Sequence, residues 1–360
     1  MGLLGIALQS TPAFAASSSL SQDPLTSIRM LDRSNGWALT DSKILKTTDG
    51  GVHWKNVTPT QTSLTRGSKA DFLSSSYAWV VSTDATNNVI VQRTTDGGAD
   101  WQSTQIADSN NAVLTDMPHF LNINEGWLSF STKYGMSSGI LADIYHTTDG
   151  GQHWNKTTDY SQIASGLSIS GQSTGISLKD ANNIWYTENP ASSSERSGDP
   201  ILDQAVAAVS HDGGKTWQQQ QLPTIPGIYQ VKYVTTPPVF IGQKGIMPIY
   251  VQSQHVNGMS LYISDNGGAT WHTTGFAQFT PNQVQVVDAQ HAYADTADGR
   301  AFATGDSGLS WQQIGSTGVI GDLDLIDNTN GVFITATSNQ HLLRTSDGGQ
   351  NWQRINYSIQ

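Results

Sequence analysis

TTDGGVHW, at residues 47–54, is a phrase that the chain repeats: TTDGGADW (94–101), TTDGGQHW (147–154), SHDGGKTW (210–217), SDNGGATW (264–271), TGDSGLSW (304–311) and TSDGGQNW (345–352) follow in order. The seven copies align as Ser/Thr-x-Asp-x-Gly-x-x-Trp, with Asn266 standing where the others carry Asp49, Asp96, Asp149, Asp212, Asp306 and Asp347. Their third positions are spaced by 47, 53, 63, 54, 40 and 41 residues. A unit of roughly 40–50 residues with turn and strand chemistry in every copy is the sequence form of a propeller blade.

Each residue of the phrase has a structural task. The Asp accepts backbone N–H groups a few residues on and closes an Asx-type turn. The Ser or Thr before it offers a hydroxyl to the same network, and the second Gly (Gly51 in the first copy) supplies a positive φ that a Cβ would penalise. The Trp (Trp54, Trp101, Trp154, Trp217, Trp271, Trp311 and Trp352) opens the outgoing strand and lays apolar surface between sheets. A ring of calcium sites is not expected, because calcium takes several oxygens from one loop and this turn offers one carboxylate among glycines.

A second landmark precedes each phrase: strand, polar turn, strand, as in SIRMLDRSNGWALT (27–40) and PHFLNINEGWLSF (118–130). Its aromatic recurs as Trp37, Trp79, Trp127 and Trp185, and Met247, Tyr293 and Phe333 are read as its replacements in the later units. With the strands that enter and leave the phrase, each unit holds four short strands. The expectation is an all-β, seven-bladed propeller of four antiparallel strands per blade, the phrase lying at the turn between strands three and four. Blades one and seven each read as complete, so the ring is expected to close by packing whole blades face to face.

With these motifs the chain resembles the Asp-box (BNR) repeat proteins, which include bacterial sialidases, xyloglucan-cleaving glycoside hydrolases, the sortilin ectodomain and the photosystem II stability/assembly factors. The resemblance covers about residues 25–360 and is closest in form to the photosystem II assembly factor-like group. It implies a seven-bladed scaffold that binds a protein. The chain departs from that group's arginine-rich patch: Arg29, Arg33, Arg66, Arg93, Arg196, Arg300, Arg344 and Arg354 are spread one or two to a unit. It also lacks the Arg-Ile-Pro of the sialidases, since Arg29 is followed by Met30.

Composition sets further bounds. Charged residues make up 13%, against about 25% in an average globular protein. A net charge of −11 with scattered cations argues against nucleic acid as a partner. No apolar run reaches the ~18 residues of a membrane-spanning helix. The absence of Cys removes disulfides and thiolate chemistry. Residues 1–15 read as a signal peptide, with an apolar run at 2–8 and Ala13-Phe14-Ala15 before Ala16. No Lys or Arg precedes that run, so the natural start is expected further upstream. Residues 16–24 read as a disordered segment, and the protein as a secreted or cell-envelope monomer.

Candidate sites lie in the longest connections, 57–68, 82–90, 103–117, 131–141, 156–174 and 187–204, which crowd into units one to four. Loops on a rigid scaffold are where binding resides, and Tyr134, Tyr160, Glu188, Glu195 and Arg196 are the residue types suited to anchoring a partner. For glycoside hydrolysis two opposed carboxylates are required, and Asp84, Glu188, Glu195, Asp199 and Asp295 are the loop candidates. His residues show no metal-ligand spacing, and neither a phosphate loop nor a nucleophile elbow is present, so no metal, cofactor or catalytic residue is assigned. Three functions remain: a protein-binding or assembly scaffold, a module for cell-envelope glycans, and a glycoside hydrolase. The first is favoured.

Overall fold

The structure, a computed structural model, describes residues 23–360 apart from 61, 63, 108, 110–111, 115, 133–141, 159–170, 191–202, 317–321 and 335–340. The described residues contain no helix and form seven antiparallel sheets, each built from consecutive strands, spanning 25–56, 69–105, 112–158, 171–222, 232–277, 281–316 and 323–355. These are the seven expected blades.

Second strands are sandwiched between neighbouring blades, so both of their faces are apolar or small; Gly36–Thr40 is buried at every residue. A strand covered on both sides reads as a continuous apolar run rather than an alternating one. Fourth strands form the rim and read as polar, as in Gln102–Gln105 and Gln218–Leu222. The first strand is interrupted in two blades: Ala112–Val113 and His119–Phe120 both pair with Gly126–Thr132, and Lys232–Thr235 and Val239–Ile241 both pair with Lys244–Gln252.

In every blade the phrase forms the turn between the third and fourth strands, as between Ile44–Thr47 and His53–Asn56. Asp49 Oδ1 accepts the Thr47 hydroxyl (2.9 Å) and the N–H groups of Val52 and His53 (3.1 and 2.9 Å), while Gly51 N donates to Thr47 Oγ1 at 3.0 Å. Gly51 has φ +88°, as the turn requires. Asn266 reproduces the arrangement with an amide: its Oδ1 accepts Thr270 N at 2.9 Å and its Nδ2 donates to Thr270 Oγ1 at 2.8 Å. None of the seven Trp is exposed. In the sixth copy Ser307 occupies the first Gly position at φ +61°, held by a 2.8 Å bond from its hydroxyl to Ala289 O.

The second landmark proves to be a fastening between blades. Trp37, Trp79, Trp127 and Trp185 are at most 1% exposed. Three of their indoles donate to the next blade's turns: Trp37 to Ser74 O (3.0 Å), Trp79 to Gly150 O (2.7 Å) and Trp127 to Gly213 O (3.2 Å). Two of the expected replacements are off by one residue. Trp37 pairs with Lys46, next to the pairing of Gly36 with the phrase's Thr47. In blades 5 and 7 that register position belongs to Ile246 and Val332, whereas Met247 and Phe333 stand one place on. In a strand one place is the opposite face. Tyr293 is placed as expected, and its hydroxyl reaches Asn328 O of blade 7 at 2.8 Å.

Blades 1 and 7 are each complete. The ring has an additional closure at the rim, which the chain pattern did not announce. Ser358–Ile359 runs parallel to His53–Asn56 as a fifth strand of blade 1, with Ser358 N on Val52 O at 3.0 Å and Gln360 N on Trp54 O at 2.8 Å.

Candidate binding surface

The first strands of the blades surround the propeller axis, where no further strand can pair with their inner edge. Unpaired backbone groups are costly when buried, and here side chains of the preceding blade satisfy them. Asp71 Oδ2 accepts Phe120 N (2.7 Å), Asp116 Oδ2 accepts Ile176 N (2.8 Å), and Asp322 Oδ2 accepts Ile28 N (2.8 Å). Asp324 accepts Met30 N and, at 2.8 Å, Nη1 of Arg29. Between blades 6 and 7 the amide of Gln285 does the same work, accepting Leu325 N at 2.7 Å and donating to Leu325 O at 3.2 Å. Thr174 Oγ1 donates to Thr235 O (2.7 Å) between blades 4 and 5. These side chains are thus committed to the backbone of the next blade.

Burial raises several of these carboxyls. Asp322 is pushed from 3.8 up to about 6 by burial, against the Ile28 N–H and with the help of the neighbouring Asp324 charge. Asp71 is raised by burial despite the Phe120 N–H and the charges of His119 and Arg29. The phrase carboxylates move oppositely: the backbone and ring of His53 hold Asp49 down at about 2, and Asp212 also lies at about 2, the Thr216 and Ser210 contacts outweighing its burial. A carboxyl whose folded pKa is raised takes up its proton more readily in the folded chain, so acid favours folding between the two values; a depressed one loses stability as pH falls through the ordinary range. Stability is therefore expected to rise from pH 7 to about pH 5 through Asp322, by about 1 kcal/mol, and to fall below about pH 4 as the phrase carboxylates protonate. His146, whose pKa burial lowers, opposes the rise, so the informative quantity is the difference between wild type and Asp322→Asn in melts from pH 4 to 8. A difference that does not change with pH between 5 and 7 contradicts the account.

Of the anchoring residues expected from sequence, Tyr134, Tyr160, Glu195 and Arg196 lie outside the described residues, as does Asp199. Glu188 is not a loop residue. It belongs to the strand Ile184–Pro190, is 7% exposed, and its backbone N–H and C=O both meet Thr235 Oγ1 of blade 5 (3.1 and 3.2 Å). Asp295 is likewise in a strand, Ala292–Thr296, and 2% exposed, with burial raising its pKa. Asp84 caps its own turn, accepting Thr86 N (2.8 Å) and Asn88 N (2.9 Å). Glu188 and Asp295 are thus held inside strands of blades 4 and 6, and Asp84 within its own turn.

On the face opposite the phrases, sequence reading missed Tyr229. It lies on the crossing from blade 4 to blade 5 and is 71% exposed. Beneath it Ile225 is buried and Ile228 packs against the same core. Asp203 lies beside it, accepting Gln230 N (3.0 Å) and Val231 N (3.2 Å), and Asp203 N donates to Val231 O at 2.9 Å. Asp203 and Gln230 both stand at positive φ, +60° and +57°, which costs a non-glycine residue of order 1 kcal/mol. The available signal was local: TIPGIYQ places an aromatic after a Pro-Gly turn.

Residues 183–343 match the family described as the BNR repeat-like domain. No curated protein matches the chain. Among solved structures, YCF48 bound to a D1 peptide is similar at 16% identity, over 90% of this chain and 91% of that one, with a TM-score of 0.58. YCF48 from Cyanidioschyzon merolae gives 16% identity, 92% and 95% coverage, and a TM-score of 0.59. The GH74 xyloglucanase from Xanthomonas campestris gives 12% identity over 91% of this chain and 52% of its own, with a TM-score of 0.57. With the phrase at the third turn of all seven blades, the chain is a seven-bladed β-propeller, the fold that YCF48 shares, and its later blades match the BNR repeat-like domain.

Proposed function

We propose that the chain is a non-catalytic, extracytoplasmic protein-binding scaffold, which takes its partner on the face built from the blade crossings and the second-to-third-strand loops of blades 2–4. The observation that carries this reading is Tyr229, an exposed aromatic on a crossing pinned to Asp203 through two residues in left-handed conformations. Aromatic anchors that need little further ordering are effective binding groups, and strained backbone concentrates where a surface is used. In the sequence, Tyr134, Tyr160, Glu195 and Arg196 fall in the connections of blades 3 and 4, outside the described residues. A similar fold carrying a peptide in YCF48 supports the class of partner. Export rests on residues 1–15. Glycoside hydrolysis has weaker support, because Glu188 and Asp295 are buried within strands.

Panning a displayed peptide library against the immobilised protein tests the reading. Selected peptides should bind Tyr229→Ser at least ten-fold more weakly while its melting temperature is unchanged. A selection that yields no peptide dependent on Tyr229, or hydrolysis of chromogenic glycosides that tracks the purified protein, would overturn it.

A further inference from the structure

The rim of the seam between blades 5 and 6 holds a cleft of about 220 Å³, lined by Phe276, Phe279, Arg300, Phe302, Leu309 and Trp311 among others. At the first three seams a Trp donates to the next blade's turn, whereas at this one the same register position holds Ile246, which is smaller and has no donor. The outer strand of blade 5, His272–Ala277, still approaches the phrase of blade 6 closely: a Cβ at Gly275 would stand 2.3 Å from Leu309 O. Among the lining rings, Phe279 is stacked on Phe302 at 4.0 Å and edge-on to Trp311 at 5.6 Å.

The mouth carries two groups that the fold does not use up. Leu309 is 68% exposed. Arg300 is tied to Asp298 through Nε alone (2.9 Å) and lies 5.4 Å from the Phe302 ring centroid; among the described residues its terminal amino groups donate no hydrogen bond. Those two groups present the fork that matches a carboxylate. Drug-sized ligands and sugar chains occupy about 300–1,000 Å³, so this cleft has room for one bulky side chain. An extended backbone can lie along its edge. The equivalent outer strand of blade 1 already takes an additional strand, Ser358–Ile359, through main-chain bonds, and His272–Ala277 has no such partner among the described residues. Strand addition supplies affinity through the main chain and specificity through side-chain pockets.

We propose that this cleft is a second docking site, which takes an extended peptide with an aromatic or bulky aliphatic side chain in the cleft and, two places along and so on the same face, an Asp or Glu on Arg300. It rests on the protein-binding reading for the class of partner only, since it lies at the rim, away from Tyr229. Calorimetric titration of the full chain with acetylated, amidated hexapeptides TVFVDT, TVFVNT and TVSVDT tests it. TVFVDT should bind, and each single replacement should weaken binding about ten-fold. Leu309→Ser should weaken TVFVDT by a similar factor. Arg300→Gln should abolish the preference for Asp over Asn and leave the preference for Phe over Ser intact. Absence of binding by all three peptides, or an Asp preference that survives Arg300→Gln, overturns the proposal. Tyr229→Ser separates the two readings: it should leave TVFVDT binding unchanged while removing the Tyr229-dependent library peptides. Loss of TVFVDT binding in that variant overturns a separate rim site and leaves the Tyr229 surface standing.

Discussion

Trp79→Ala is expected to cost the fold roughly 3–5 kcal/mol, the range for deleting a fully buried large aromatic. The indole is 0% exposed, stacks on Phe120 of the next blade at 3.6 Å between centroids, and donates to Gly150 O at 2.7 Å. Its removal leaves a cavity at the seam and an acceptor without a donor in the turn of the third phrase. Trp79→Phe should recover most of the packing and still lose the hydrogen bond, at a cost of about 1–2 kcal/mol. Urea unfolding followed by far-ultraviolet circular dichroism measures both. Equal costs for the two variants would mean that the stack contributes little, and would contradict the reading of this residue as a fastening between blades.

Asp324→Ala should be the second most damaging change, at roughly 2–4 kcal/mol. Asp324 is 3% exposed and sits where the last blade meets the first. It accepts the Met30 N–H and the Arg29 guanidinium, and Gln285 Nε2 lies 3.4 Å from its Oδ1. Alanine orphans a backbone donor and leaves Arg29 without its counter-charge. Asp324→Asn retains an acceptor and should cost less than half as much. Because Ser358–Ile359 fastens the same seam at the rim, removing both fastenings should cost more than the sum of the single changes. Additivity within about 0.3–0.5 kcal/mol would mean that the inner and outer closures act independently.

The blade count and the place of each phrase were legible in the sequence because turn chemistry is local. An Asp, two positions for positive φ and a Trp suffice to define the turn, wherever the rest of the chain goes. The fastening Trp was legible as buried, but not as a donor to the next blade, since its acceptor lies 37 to 86 residues away. Ile246 and Val332 were missed for a related reason: neither resembles Trp, and only strand pairing fixes which of two adjacent apolar residues faces the seam. The acids of the inner strands were overlooked too. Asp71, Asp322 and Asp324 sit in strand-like stretches where propensity disfavours them, and that conflict was the available clue to a second task. On the candidate surface, residue type alone placed Glu188 and Asp295 in loops, yet both strands extend past them. Tyr229 had a local signal in TIPGIYQ, but its brace, Asp203, lies 27 residues from Gln230 in the chain and left no local mark.

The most direct test of the binding account is an amide hydrogen-exchange footprint of the full chain with and without a library-selected peptide. The account predicts slowed exchange at 203–204 and 223–231, on the crossing that carries Tyr229 and its brace, with the seven phrases unaffected. Protection confined to the strands around the axis, with none on the Tyr229 crossing, would contradict it.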